Sequence, residues 1–389
     1  MTALRMTAFP EQFPTLLAQA VGSDKAATVL EALAGEPSVS IRLNPQKLTE
    51  CPFGGARPIP WSPFGYLLPE RPAFTLDPLF HAGAYYVQDS SAMLVGTLFR
   101  RLIGPLPEGL CVLDLCAAPG GKTTDLAASL RAHDGGRSRL LANEVVRSRY
   151  AVLRSNVASW GDPCVGTLSR DPSAFGDTPL FDVVVADVPC SGEGMFRKDA
   201  QAVADWSPET VDFCAARARR ILSGIWPALK EGGLLLFSTC TFNRQENDGT
   251  VAWAARELGA QILDPGPLDP ALRTEHGFLM LPGLVPGEGQ YAAVLRKNGT
   301  PERLRKADPF ALFHPQQPVP APDGLPLWEV DRETALHYLH GDALVLPSEA
   351  PRGPLHIGYK GLSLGPAKNL GTRCNNLYPK AKRIKMDLP

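Results

Sequence analysis

The middle of this chain predicts an α/β fold built on a doubly wound parallel sheet. Three observations carry that expectation. From Leu110 onwards, apolar strand-like runs alternate with helical stretches, the pattern of βαβ units. The strand runs are continuous and rich in Val and Leu, as in parallel strands covered on both faces. A glycine-rich turn, Gly120-Gly121, follows the first of them and opens a helix. An α+β region precedes this core and a small segment follows it. The length of 389 residues suits two or three domains.

In the N-terminal region, residues 1–105, the apolar positions Leu16, Leu17, Val21, Val29 and Leu33 predict two short helices across Phe13–Leu33. Val39–Leu43 predicts a strand, closed by an Asn44-Pro45 turn. Cys51–Pro78 is Pro-rich, and its strands are too short to place. Tyr85–Phe99 is expected to be a helix with Asp89, Ser90 or Ser91 as its cap. In the core, residues 106–298, strands are expected at Cys111–Leu115, Leu140–Asn143, Val183–Ala186 and Leu234–Ser238. Helices are expected at Thr123–Leu130, Arg147–Trp160 and Pro208–Leu229, and Gln290–Lys297 adds a late strand. Residues 299–326 read as an extended linker, because Pro315, Pro318, Pro320, Pro322 and Pro326 crowd together there. The last segment, 327–389, has strand-like stretches at Ala343–Leu346 and Leu355–Tyr359.

Composition excludes several classes. Hydrophobic residues are 44 % and charged residues 20 %, as in ordinary globular proteins. No apolar run approaches the roughly 18 residues of a membrane span. Met1–Pro10 lack the apolar core of a signal peptide, so a cytoplasmic, non-membrane protein is expected. The net charge of −1 rules out a uniformly basic protein. Yet Arg352–Pro389 holds eight Lys/Arg and one acid, Asp387, a net +7 that leaves −8 for the rest. That asymmetry points to a polyanionic partner; the plainer reading is a solvated face. Eight cysteines form no CxxC pair, so no metal is expected. Disulfides are not expected in a long chain without a secretion signal. Nothing demands more than a monomer.

The turn Cys116-Ala117-Ala118-Pro119-Gly120-Gly121-Lys122-Thr123 lets backbone N–H groups approach a ligand at a helix N-terminus. Gly121-Lys122-Thr123 fits the end of a P-loop, but the required first glycine is Cys116. A dinucleotide GxGxxG fails as well, since only two adjacent glycines are present. Glu144 ends the second strand, where an acid can accept from a ribose diol; the alternative is a plain surface acid. Turn and acid together imply a nucleoside cofactor.

Two thiols end consecutive strands: Cys190, in Asp187-Val188-Pro189-Cys190, and Cys240, in Ser238-Thr239-Cys240-Thr241. Such sheets place their sites at these strand ends. Cys111, Cys164 and Cys214 read as small core hydrophobes. A thiolate beside a nucleoside cofactor has a use. Carbon 5 of a pyrimidine takes a methyl group only after a nucleophile adds to carbon 6. Asp187 is placed to stabilise the charge that develops near ring nitrogen 3.

Three stretches resemble motifs of the Sun-type RNA cytosine-5 methyltransferases: Leu113–Thr123, Asp187–Gly194 and Ser238–Asn243. Gly192–Asp199 and Glu246-Asn247 resemble the bacterial RsmF-like branch. Ser40–Asn44, Tyr86–Ser91 and Gly287–Gly289 fit as well. The resemblance implies a Rossmann-like class I methyltransferase fold with S-adenosylmethionine as cofactor. Cys116, Ala117, Ala118, Pro119, Gly120, Gly121 and Lys122 would hold its methionine part, Glu144 its ribose and Asp171 its adenine. Asp187 would lie between cofactor and target base. Cys240 would be the nucleophile, and Cys190 would assist product release. The C-terminal segment resembles a PUA domain that positions RNA. The implied partner is RNA, with ribosomal RNA or a ribosomal subunit expected. The alternatives are a transfer RNA methyltransferase and a non-catalytic RNA-binding assembly factor. Met280–Gly283 and Gln290-Tyr291 depart from the family pattern.

Overall fold

The computed structural model describes residues 9–299, 308–318 and 324–388. The N-terminal region holds helices α1 (Phe13–Val21), α2 (Ser23–Leu33), α3 (Pro78–His81) and α4 (Met93–Ile103). It also holds strands β1 (Val39–Leu43), β2 (Arg57–Pro58), β3 (Gly65–Leu68) and β4 (Tyr85–Val87), ordered β2-β3-β1-β4. Tyr85–Val87 is thus a strand, not the start of a helix. It pairs antiparallel with β1, Ile41 opposite Val87. The aromatic and β-branched side chains suit a strand. The Asp89 carboxylate then accepts from the N–H groups of Ser91 and Ala92, and the helix starts only at Met93.

The central domain runs β5 (Cys111–Asp114), α5 (Gly121–Asp134), β6 (Arg139–Asn143), α6 (Arg147–Trp160), β7 (Val165–Leu168), β8 (Phe181–Asp187), α7 (Ala200–Asp205), α8 (Pro208–Ile225), β9 (Leu229–Thr239) and α9 (Asp248–Glu257). β10 (Ala260–Leu263), β11 (Leu272–Arg273), β12 (Phe278–Met280) and β13 (Gln290–Lys297) complete it. The sheet order is β11-β12-β13-β9-β8-β5-β6-β7, with β10 beside β13. Strands β9-β8-β5-β6-β7 are parallel, and β13 adds antiparallel to β9. The chain winds outward in both directions from β5 and β8, so their carboxyl ends form the switch point where ligands bind. Helix α8 stops at Ile225, short of the expected Leu229. Pro227 offers no N–H to continue it, and the chain passes through a 3-10 turn into β9. β7 was not expected; its Val-Gly-Thr-Leu run is too short and mixed to stand out.

The segment around Pro315 is not simply an extended linker. Helix α10 (Pro309–Phe313), capped by Asp308, buries Phe310 in the core, and Gln316 pairs with Thr167 at the β7 edge. Residues 300–307 and 319–323 of the expected linker lie outside the described residues, as do 1–8 and Pro389. The C-terminal segment folds as β14 (Leu327–Glu329), α11 (Arg332–His340), β15 (Gly353–Tyr359), β16 (Leu362–Asn369) and β17 (Cys374–Asn376). Ala343–Leu346 forms no strand; only Leu344 bridges to Cys374.

Candidate active site

The glycine-rich turn leaves β5 and enters α5. Gly120 takes φ +110°, which favours glycine, and an added Cβ would meet Leu153 at 3.3 Å. No side chain caps α5, so its first N–H groups face the switch point without an intrahelical partner. Asn143, at the end of β6, donates to the Leu115 and Arg170 carbonyls and so ties three strand ends together. Burial pushes the Cys116 thiol well above its usual range, which fits a wall residue rather than a nucleophile.

Glu144 is buried. Its Oε1 accepts from the Val146 N–H, while Oε2 has no hydrogen-bond partner and faces the Arg149 guanidinium at 3.5 Å. Asp171 is exposed beyond β7, and its Oδ1 accepts from the N–H and hydroxyl of Ser173. Those bonds lower its pKa. Asp114 was not singled out as a site residue. It is fully buried at the end of β5, accepts from the Thr123 hydroxyl and leaves Oδ1 unpartnered. Burial pushes its pKa up to about 7. An acid ending the first strand was a readable signal. Val145, half exposed beside Glu144, offers an apolar face that polarity patterns alone do not mark.

Asp187 ends β8. Its Oδ1 accepts from the Ser238 hydroxyl at 2.7 Å and the Gln290 amide at 3.1 Å. Its Oδ2 accepts from the Lys122 ammonium at 2.8 Å. Burial opposes the charge of Lys122, but the Asp187 carboxylate outweighs it and the pKa is raised. Gln290, one of the departures from the family pattern, therefore reaches the site from β13; Tyr291 instead donates to Asp248.

The Cys190 and Cys240 sulfurs lie 3.3 Å apart. The hydrogen bond to Cys240, with burial, raises the Cys190 pKa well above its ordinary value. A reciprocal clasp joins the two thiol loops. Glu193, beyond Cys190, accepts from the N–H groups of Phe242 and Asn243, beyond Cys240. Glu246 accepts from the N–H and hydroxyl of Ser191. The Asn243 amide donates to both glutamates. Burial pushes Glu246 up to about 7. Gly194 sits so close to this junction that a Cβ would meet the Cys240 and Glu288 carbonyls at 2.8 Å. The sequence reading did not assign Glu193, Asn243 or Glu246 to the site; no local pattern shows that two loops exchange caps. Thus the structure brings Cys240, Cys190, Asp187, Lys122 and the turn together. Glu144 stands along the same edge, and Asp171 lies at its rim.

Comparison with known proteins identifies the family. The family model for 16S rRNA methyltransferase RsmB/F matches residues 102–296, half of the chain. The chain belongs to this family. Models for the N-terminal domain of 16S rRNA methyltransferase RsmF and for the methyltransferase RsmF PUA domain match residues 9–90 and 326–384. Ribosomal RNA small subunit methyltransferase F of Cronobacter sakazakii is 37 % identical over 320 residues, which span 76 % of this chain and 64 % of that protein. The protein of the same name from Escherichia coli O9:H4 is 32 % identical over 406 residues, 94 % of this chain and 81 % of that one. Among solved structures, a methyltransferase homolog from Pyrococcus horikoshii superposes with TM-score 0.62 at 25 % identity, covering 75 % of this chain and 96 % of that one. NSun6 from Pyrococcus horikoshii, solved with SFG, gives TM-score 0.62 at 17 % identity, covering 76 % of this chain and all of that one. That second likeness concerns the fold.

Proposed function

We propose that this RsmB/F family member transfers a methyl group from S-adenosylmethionine to carbon 5 of a cytosine in small-subunit ribosomal RNA. The observation that carries the reading is the thiol pair, 3.3 Å apart, beside Asp187 and the uncapped turn. The residues fit the cofactor: Glu144 keeps a buried carboxylate oxygen free of hydrogen bonds, suited to a ribose hydroxyl. Val145 offers an apolar face to a purine, and Asp171, at the rim, an acceptor to its amino group. When bound, the cofactor supplies an electrophilic methyl group. The Cys240 sulfur bonds to carbon 6, which makes carbon 5 nucleophilic. After transfer, a base takes the carbon 5 proton, the freed electron pair re-forms the carbon 5–carbon 6 double bond, and the carbon 6–sulfur bond breaks with its pair returning to Cys240. Cys190, in contact with that sulfur, assists this release. Asp187, oriented by Lys122, Ser238 and Gln290, faces ring nitrogen 3. The target base must leave its stack to reach the thiols.

The test is transfer of labelled methyl groups to purified ribosomal RNA, ribosomal subunits and transfer RNA, by wild type and Cys240→Ala. Label in small-subunit RNA that the variant loses is the expected result. Label confined to transfer RNA, or retained by Cys240→Ala, overturns the substrate or the nucleophile respectively.

A further inference from the structure

Helix α6 ends where three parts of the chain meet. Asn44 and Lys47, just after β1, donate to the carbonyls of Trp160 and Ser159. From the C-terminal segment, the Lys382 ammonium donates to the Ser159 hydroxyl at 3.1 Å. Three adjoining cavities of about 380, 600 and 940 Å³ line this junction, all bordered by Lys382. The charge of their walls is one-sided. Lys47, Arg154 and Lys382 border them, with His81 and His356, and among the described residues no Asp or Glu lines them. The protein carries 40 acids against 39 Lys and Arg, so a cleft of this extent with no acid among its described lining residues is not the average surface. By contrast, one cavity beside Asp212 is lined by Asp248 and Glu275 as well as Arg219 and Arg244.

The three cations are also unpaired. Among the described residues, none of them forms an ion pair. Their partners are neutral: two carbonyls for Lys47, a hydroxyl for Lys382 and the Gln316 amide oxygen for Arg154. Arg154 is exposed, but Lys47 and Lys382 are half-buried, and a half-buried cation without a counter-charge gives up hydration that a carboxylate or phosphate would replace. Burial holds Lys47 down at about 8 and lowers Lys382 too; an arriving anion reverses both shifts.

The 380 Å³ cavity adds rings. Phe80, His81 and Tyr86 are half-buried on its wall, and Trp160 and Tyr378 form its floor. The Trp160 indole N–H has no partner. Tyr86 reaches from this cavity to the cofactor turn, where its hydroxyl donates to the Pro119 carbonyl. Aromatic faces beside unpaired cations are the combination that binds single-stranded nucleic acid, with bases stacked and phosphates neutralised.

We propose that this cleft holds a single-stranded stretch of the RNA substrate flanking the target nucleotide. The inference rests on the RNA reading above and adds where the flanking strand lies. Arg154 and Lys382 contact phosphates, and Tyr86 and His81 carry bases toward the turn.

The test compares wild type with the double variant Arg154→Ala/Lys382→Ala. A control, Lys25→Ala/Arg256→Ala, removes the same charge elsewhere. Binding of a single-stranded ribosomal RNA fragment is measured across salt concentrations, beside methylation kinetics and cofactor affinity. The expected result is about a tenfold weaker Kd at 0.1 M salt and a salt slope smaller by about 1.4. KM for RNA rises, while kcat and cofactor affinity stay unchanged. A double variant that matches the control overturns the cleft and leaves the methyltransferase reading intact. If the wild type binds no RNA, both fall together.

Discussion

At the scale of single residues, the site is governed by carboxylates whose partners differ. Asp187 is met by a lysine, a hydroxyl and an amide, whereas Glu246 is met only by neutral donors from Ser191 and Asn243. Burial without a cation disfavours the charged form, and this is why Glu246 is pushed up to about 7. The sign of its contribution follows. The folded state holds the proton more tightly than the unfolded chain. Its stabilising share is therefore full at pH below about 4.5 and is lost as pH rises toward 7. Glu246→Gln removes this titration. Unfolding by denaturant at pH 5 and pH 7.5 is expected to show a smaller loss of stability with pH in the variant. One pKa unit corresponds to about 1.4 kcal/mol. Equal pH dependence in both proteins would contradict the assignment.

At the scale of elements, the N-terminal sheet braces the glycine-rich turn proposed to hold the cofactor and is not an appendage. Arg42 of β1 is fully buried. It donates to the Gly121 carbonyl and the Thr124 hydroxyl in the first turn of α5, and to Gln88. Its guanidinium lies 4.7 Å from the Trp160 ring, at the end of α6. One side chain thus fixes the turn and the neighbouring helix together. A lysine keeps the charge but loses the planar fork. Arg42→Lys is expected to weaken S-adenosylmethionine binding roughly tenfold, about 1.4 kcal/mol, as measured by calorimetry. Unchanged affinity would show that the turn is held without β1. The same contacts explain why Tyr85–Val87 misread as helix. Its strand character comes from pairing with β1, a partner more than forty residues away, and no local periodicity records that.

At the scale of the whole molecule, the legible parts are those whose cause is local. The buried parallel strands show as unbroken Val/Leu runs, and the turn shows in its small residues. The thiols show because each ends a strand, and strand ends converge in a doubly wound sheet. What stayed hidden depends on contacts across the chain. The 3.3 Å approach of Cys190 and Cys240, the exchange of Glu193 and Glu246 between loops, and the reach of Gln290 from β13 are of this kind. Helix α10 is another: the prolines that follow it suggested an extended linker over the whole stretch, but Phe310 finds a place in the core and Arg139 stacks 3.7 Å over its ring.

The central claim is that Cys240 adds to the base and that Cys190 helps it leave. The most direct measurement is covalent protein–RNA adduct on a denaturing gel, after incubation with S-adenosylmethionine and ribosomal RNA. Wild type, Cys190→Ala and Cys240→Ala are compared. The account predicts that adduct accumulates in Cys190→Ala and is absent in Cys240→Ala. Equal adduct from the two variants, or adduct only from Cys240→Ala, would contradict it.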